Sequence, residues 1–383
     1  MAGQKQKVQR LSILFTSLCS WLGLFLIVGL VLTSSSSAQP AKSASGTAAK
    51  AAAGAPIHLS WGHAWNEFFN PMFEEMGKRI EQRTNNAVKF DYFWSGSLVT
   101  AREERKLVTV GTVDVSHIHP IYYPDMVMAN WTWSLPFNPV DNLIMVKLMY
   151  EVSKAFPQME QEVAKFPVHV IGVWASAPYD FNAKFPLVKL SDLKGTKIVG
   201  LGKYEPQWYE KGGATAVTVP SPERFTALQT GLADGGTGQV AYFLSYKFYD
   251  AGSRYITYVG FGARTGSGYT VMNKKRWDSL PPNVQKVIQE EWDRFAFETA
   301  PKYVTANIAA WRAEAEKVGF KINTLADDQK LEWARLIEPI VKSYAADIDK
   351  AQNQPGLGAK FIKFIQAKQK ELGAPVFYEF KFQ

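Results

Sequence analysis

The sequence predicts an α/β protein built as two lobes, on three observations. Short apolar strands alternate with amphipathic helices from Ile57 onward, the order that gives sheets covered by helices. The alternation breaks between Ala175 and Lys189, where Pro178, Pro186 and polar residues mark a crossing into a second lobe. A glycine-rich run, Gly260–Gly268 (GFGARTGSG), suits a hinge returning to the first. With 383 residues, 46% of them hydrophobic, the chain has apolar material enough for two cores.

The N-terminus reads as an export signal. Lys5, Lys7 and Arg10 precede an uncharged apolar run from Leu11 to Leu32, and Ser36-Ser37-Ala38 offers small residues for cleavage before Gln39. That run is also long enough to span a bilayer, so an uncleaved anchor is the alternative. The only cysteine, Cys19, lies inside the run and is poorly placed for lipid attachment. A mature chain without cysteine has no disulfide, thiol chemistry or cysteine-held metal. Five of the 43 basic residues, and no acid, fall within the first 56 positions. The remainder holds 38 basic residues against 35 acidic, too even a balance for a nucleic-acid binder. The predicted organisation is a signal or anchor over 1–38 and a flexible linker over 39–56. Lobe I follows over 57–174 and 267–313, and lobe II over 175–266 and 314–383.

Ile57 to Trp61 is a strand, followed by a helix burying Phe69, Met72, Phe73, Met76 and Ile80, which ends near Thr84-Asn85-Asn86. Val88 to Trp94 is the second strand. Thr100 and Glu103 form a capping box for a helix stopping at Gly111, and Thr112 to Ile118 is the third strand. A parallel sheet binds ligands beyond the carboxyl ends of its strands. That rule selects His63, Trp65 and Asn66 after the first strand, and His119, Tyr122 and Tyr123 after the third. A helix over about 142–156 and a strand over Val168–Trp174 complete the lobe.

In the second lobe a strand at Lys197–Val199 precedes a well-punctuated unit, Val217–Gly238. Its strand stops at Pro220, Ser221 caps a helix whose first position is Pro222, and Phe225, Leu228 and Leu232 form the apolar face. Gly231 ends the helix. Tyr269–Met272 is a strand. A long helical tract from Pro281-Pro282 bends at Pro301 and ends at Gly319, and helices near 327–349 and 357–371 finish the chain.

No catalytic constellation is found. Neither Gly200-Leu201-Gly202 nor Gly260-Phe261-Gly262 continues into a dinucleotide fingerprint, and there is no nucleophile elbow. Nothing calls for a cofactor or a metal. His117 reads as a sheet residue. Twelve Trp and sixteen Tyr exceed what packing needs, and Trp65, Tyr122, Trp174, Tyr179, Tyr204 and Tyr242 lie at strand ends and loops where an aromatic ring can face a ligand.

Four stretches together resemble the periplasmic solute-binding subunits of tripartite ATP-independent periplasmic (TRAP) transporters, the DctP-like family. These are Phe225-Thr226-Ala227-Leu228-Gln229-Thr230-Gly231 followed by Asp234-Gly235; Asp192-Leu193-Lys194-Gly195-Thr196-Lys197-Ile198; Asn273-Lys274-Lys275-Arg276-Trp277 running to Leu280-Pro281; and Val108–Asp114 with Leu135-Pro136-Phe137. The resemblance implies two lobes joined by crossing strands and a long helix, closing over a small ligand, usually an organic acid. It also implies membrane transporter subunits as partners, a periplasmic location and no enzymatic activity. The family's carboxylate-holding arginine falls at Val199 here, and its asparagine after the Asp-Gly pair falls at Gly238. Two explanations stay open. Another cation, Lys203, Arg264 or Lys184, holds a carboxylate; or the ligand is aromatic or uncharged, met by rings and by backbone at Gly235, Gly236 and Gly238. The expected ligand set is His63, Trp65, Asn66, His119, Tyr122, Trp174, Tyr179, Lys203, Tyr204, Gly238, Tyr242 and Arg264. A membrane-anchored sensory module on the same fold is the alternative function.

Overall fold

The structure is a computed structural model that describes residues 55–65 and 67–382. The Leu11–Leu32 run, Cys19 and Asn66 lie outside the described residues. Among those described, no helix is long and apolar enough to cross a membrane.

The first half runs β1 (Ile57–Gly62), α1 (Asn70–Arg83), β2 (Val88–Phe93), α2 (Glu104–Val110), β3 (Val115–Ile118), α3 (Trp131–Ser134), α4 (Asn142–Ala155), α5 (Gln158–Ala164) and β4 (Val168–Ala175). The second contains β5 (Asp180–Ala183), β6 (Lys197–Val199), α6 (Glu205–Lys211), β7 (Thr215–Val217), α7 (Arg224–Gln229), β8 (Gly235–Gly238), α8 (Val240–Ser245) and β9 (Tyr255–Tyr258). The chain then returns through β10 (Thr265–Asn273), α9 (Lys274–Asp278) and α10 (Pro282–Arg294). It closes with α11 (Ala300–Lys317), β11 (Lys321–Thr324), α12 (Asp327–Gln352) and α13 (Leu357–Glu371).

Two mixed sheets result. One has the order β2-β1-β3-β10-β4, with β1 parallel to β2 and β3 and with β10 inserted antiparallel between β3 and β4. The other has the order β11-β9-β5-β8-β6-β7. The parallel β-α-β-α-β start is as the sequence predicts, and the two-lobe α/β architecture with it. The chain passes from sheet to sheet after β4, before β10 and along α11. The first two crossings are bonded to each other: Ser176 donates its N–H to the Arg264 carbonyl and Tyr179 to that of Gly262, both at 2.9 Å. Asn142 at the start of α4 holds the first crossing by donating to the carbonyls of Ala175 and Ser176.

The predicted face of α1 is buried at Met72, Phe73, Met76 and Ile80, whereas Phe69 stands just before the helix, half-buried; Asn85 and Asn86 end it with left-handed backbone. Gly111 closes α2, as expected. Local readings shift elsewhere. Thr100 donates its hydroxyl to the Glu103 side chain at 2.6 Å, so the two make a turn and α2 starts one residue later without a side-chain cap. Strand β3 starts at Val115, three residues after the expected Thr112. Ser221 opens a 3-10 turn, Ser221–Glu223, instead of capping an α-helix. Because α7 therefore runs only over Arg224–Gln229, Leu232 lies beyond it and is 51% exposed, and the buried face is Arg224, Ala227 and Leu228. The bend expected at Pro301 is a single π-helical turn, Phe295–Thr299, between α10 and α11. A proline ring crowds the carbonyl four residues earlier, here Phe297, and a wider turn moves that carbonyl aside.

Candidate functional site

A cavity of about 50 Å³ opens between the two sheets, beyond the carboxyl ends of β1 and β3, where the rule for open α/β sheets places a ligand. The first sheet's side contributes Trp65, Phe68, Phe69, His119, Ile121, Tyr122 and Trp133. The second contributes Tyr179, Leu201, Ser221, Arg224, Thr237, Gly238, Gln239 and Tyr242, and the crossing strand β10 contributes Gly266.

Rings define its shape. Trp65 stacks nearly parallel to Tyr122, 12° between planes, with its ring centre 4.3 Å from that of His119. Trp133 meets Tyr179 edge-on at 5.1 Å. The Tyr122 hydroxyl is buried without a partner, while Tyr242 donates its hydroxyl to the Ser221 carbonyl at 2.5 Å. A Cβ placed on Gly266 would stand 2.1 Å from the Trp174 ring, so only glycine lets β10 lie flat there. A Cβ on Gly238 would meet Phe243 at 2.6 Å.

The imidazoles near the cavity are neutral. His119 is buried between Trp65 and the Glu104 carboxyl, its Nδ1 3.3 Å from Glu104 Oε2. Burial pushes the imidazole down to about 3, so it is neutral at neutral pH, and raises the Glu104 carboxyl well above the ordinary carboxylate range. Burial likewise lifts the Tyr179 phenol to about 12.

Charge enters the wall through Arg224. It is 2% exposed, donates from Nη1 to the Thr237 carbonyl on β8, and lies over the Tyr242 ring at 5.7 Å. Its Nε has no partner, and among the described residues no carboxylate pairs with it. Arg264, by contrast, is fully buried behind Trp133 and Tyr179, 4.7 and 4.6 Å from their ring centres, and pairs with Glu205 at 3.0 Å. Glu205 also accepts from Leu201 N–H and from the hydroxyls of Thr237 and Tyr209, so that carboxylate is fully engaged.

Six of the residues expected from sequence line the cavity: Trp65, His119, Tyr122, Tyr179, Gly238 and Tyr242. Of the others, Asn66 lies outside the described residues and the rest are placed elsewhere. His63 packs in the core against Trp94 and Phe73, and Trp174 lies in the core against Phe69, Phe73 and Phe295. Lys203 and Tyr204 both reach Asp347 on α12, at 2.5 and 2.6 Å, in a separate groove. Arg264 stands behind the wall, and Lys184 sits beside Asp234 at the far end of β5. His117 is a core residue bonded to Thr270 at 2.8 Å. Sequence reasoning missed Arg224, Gln239 and Trp133. The signal for Arg224 was its i, i+3, i+4 spacing to Ala227 and Leu228, which puts a guanidinium on a buried stripe.

Two α/β lobes with an aromatic-lined cleft between them are the architecture of a solute-binding protein. The chain belongs to the bacterial extracellular solute-binding proteins, family 7 (DctP), whose family model matches residues 66–347. Solved structures that share its fold include TRAP periplasmic solute-binding proteins. A solute-binding protein of Albidiferax ferrireducens is 23% identical over 284 residues, 70% of this chain and 78% of that one. Among solved structures, a TRAP solute-binding protein from Rhodoferax ferrireducens, in complex with copurified benzoate, superposes with a TM-score of 0.73 at 18% identity, covering 82% of this chain and 98% of its own. A marine metagenome TRAP protein specific for aromatic acid ligands, in complex with metahydroxyphenylacetate, gives 0.73 at 19% identity, covering 83% and 99%. At these identities the likeness is one of fold.

Proposed function

We propose that this receptor captures a small aromatic carboxylate, held by Arg224 inside the ring-lined cavity, and hands it to the membrane subunits of its transporter. The observation that carries the reading is a buried guanidinium with no acid beside it among the described residues. An unpaired charge in such a place is costly, and an anion entering the cavity offsets that cost. The guanidinium also fits the bidentate geometry of a carboxylate. Arg224 stands close to where the resemblance expects an arginine. A Cβ built on Gly236 would lie 3.2 Å from Val199 Cβ and 3.4 Å from Arg224 Cζ, so α7 delivers its guanidinium beside the valine. The cavity of about 50 Å³ is smaller than a benzene-sized ring needs, so a ring enters as the lobes part, and Trp65, Tyr122, Trp133 and Tyr179 then favour it over a flexible dicarboxylate. The benzoate and aromatic-acid complexes of its structural relatives agree with that choice.

The remaining parts of the reading follow from the sequence. The Leu11–Leu32 run exports the chain to the periplasm and is cleaved before Gln39, which the intact mass of the exported protein tests. The lobes are taken as 57–174 with 267–313 and 175–266 with 314–383. The protein binds without chemistry, so a bound acid is recovered unchanged.

Calorimetric titration of the exported protein with benzoate tests the ligand reading. Arg224→Met is expected to weaken binding about 100-fold, on the scale of ~2–5 kcal/mol for removing one member of a buried charge pair. Arg224→Lys, which keeps charge without the planar fork, falls between. Unchanged affinity in Arg224→Met would defeat the reading.

A further inference from the structure

Building on the carboxylate reading of Arg224, we infer that the ligand also carries a ring hydroxyl that donates to Gln239. Gln239 lines the cavity, is 5% exposed, and leaves its Oε1 without a partner. It stands at the N-terminal boundary of α8, yet its side chain makes no capping bond. The oxygen is thus a buried acceptor at the cavity wall that no donor among the described residues meets. Two backbone acceptors on this side of the cavity are engaged: the Ser221 carbonyl takes the Tyr242 hydroxyl, and the Thr237 carbonyl takes Arg224. A buried acceptor left unmatched destabilises the occupied cleft unless the ligand supplies a donor.

Placement narrows the donor. Arg224 donates to the Thr237 carbonyl, and Gln239 follows two residues further along extended backbone, so both groups meet the cavity from one short segment. A carboxylate and a hydroxyl carried on a single six-membered ring can reach two groups so placed. Chain dicarboxylates place a second acceptor there, which Gln239 Oε1 rejects. The ligand class is therefore a monocyclic hydroxy-substituted aromatic acid.

The test compares benzoate, 3- and 4-hydroxybenzoate and the matching fluorobenzoates by calorimetry in a carboxylate-free buffer. Fluorine resembles the hydroxyl in size and cannot donate. One hydroxy isomer is expected to bind roughly 10-fold tighter than its fluoro counterpart, the upper range for a single neutral hydrogen bond. In Gln239→Met, shown folded by its thermal transition, the hydroxy-to-fluoro ratio is expected to fall below about 3-fold. Equal binding of both hydroxy acids and their fluoro partners in the unmodified protein, a comparison that needs no variant, overturns the inference. So does a ratio that survives in Gln239→Met. If the unmodified protein binds none of these acids, the Arg224 reading itself fails and carries this one with it.

Discussion

At the scale of single residues, buried groups held uncharged make the structure sensitive to pH in a definite direction. Asp180 on β5 accepts the Val259 N–H and is 6% exposed, and burial lifts its carboxyl to about 7. A carboxyl whose folded value lies above its ordinary one stabilises fully below about pH 4 and loses that contribution as pH rises through about 7. Asp180→Asn is therefore expected to melt close to the parent at pH 4. At pH 8 it should melt several degrees higher, a few kcal/mol at most, and scanning calorimetry at the two pH values checks the difference. Gly266→Ala should behave differently, because its new methyl would stand 2.1 Å from Trp174. We expect about 1–3 kcal/mol of destabilisation together with weaker acid binding, since β10 must lift and the cavity floor with it. Loss of stability with binding intact would contradict that placement.

At the scale of elements, legibility in the sequence depended on how many residues voted. Helix α1 has four apolar positions in phase, Met72, Phe73, Met76 and Ile80, and its face was readable from them. Helix α7 has six residues, too few for periodicity to fix its phase. Choosing Phe225 over Arg224 as the first inward position shifted the stripe by one residue and hid the cation. Trp65, Tyr122, Tyr179 and Tyr242 were findable because strand-end loops face the cleft whatever their exact course. Lys203, Tyr204 and Arg264 lie on the same kind of loop, but partners distant in sequence, Asp347 and Glu205, decide where they point. The junction of α12 and α13 offers a test at this scale. Asp349 accepts the N–H groups of Gly356 and Gly358, at 2.9 and 2.7 Å, and so fixes the start of α13. Asp349→Ala is expected to cost about 1 kcal/mol, read from the denaturant midpoint, with acid affinity unchanged.

For the whole molecule, the two sheets are joined by crossings and strapped by the C-terminal helices. Tyr344 on α12 donates to the Val127 carbonyl at 3.0 Å, and Gln352 donates to Glu162 on α5 at 2.7 Å. The cavity draws walls from both sheets, so a ligand that touches both favours the closed arrangement. Small-angle scattering is expected to show a smaller radius of gyration when benzoate is added, and no such change in Arg224→Met. This architecture was legible because it rests on repeated local patterns and four motif stretches spread along the chain. The insertion of β10 between β3 and β4 was not, since a strand's neighbours depend on where a returning chain lands.

The unaccompanied guanidinium of Arg224 also bears on how the receptor is handled at the bench. A positive site walled from water takes whatever anion the medium supplies, so chloride or acetate competes with the natural solute by mass action. Apparent dissociation constants should rise with buffer acetate concentration at constant ionic strength. A preparation washed free of small carboxylates would then be the one whose titrations report the intrinsic affinity.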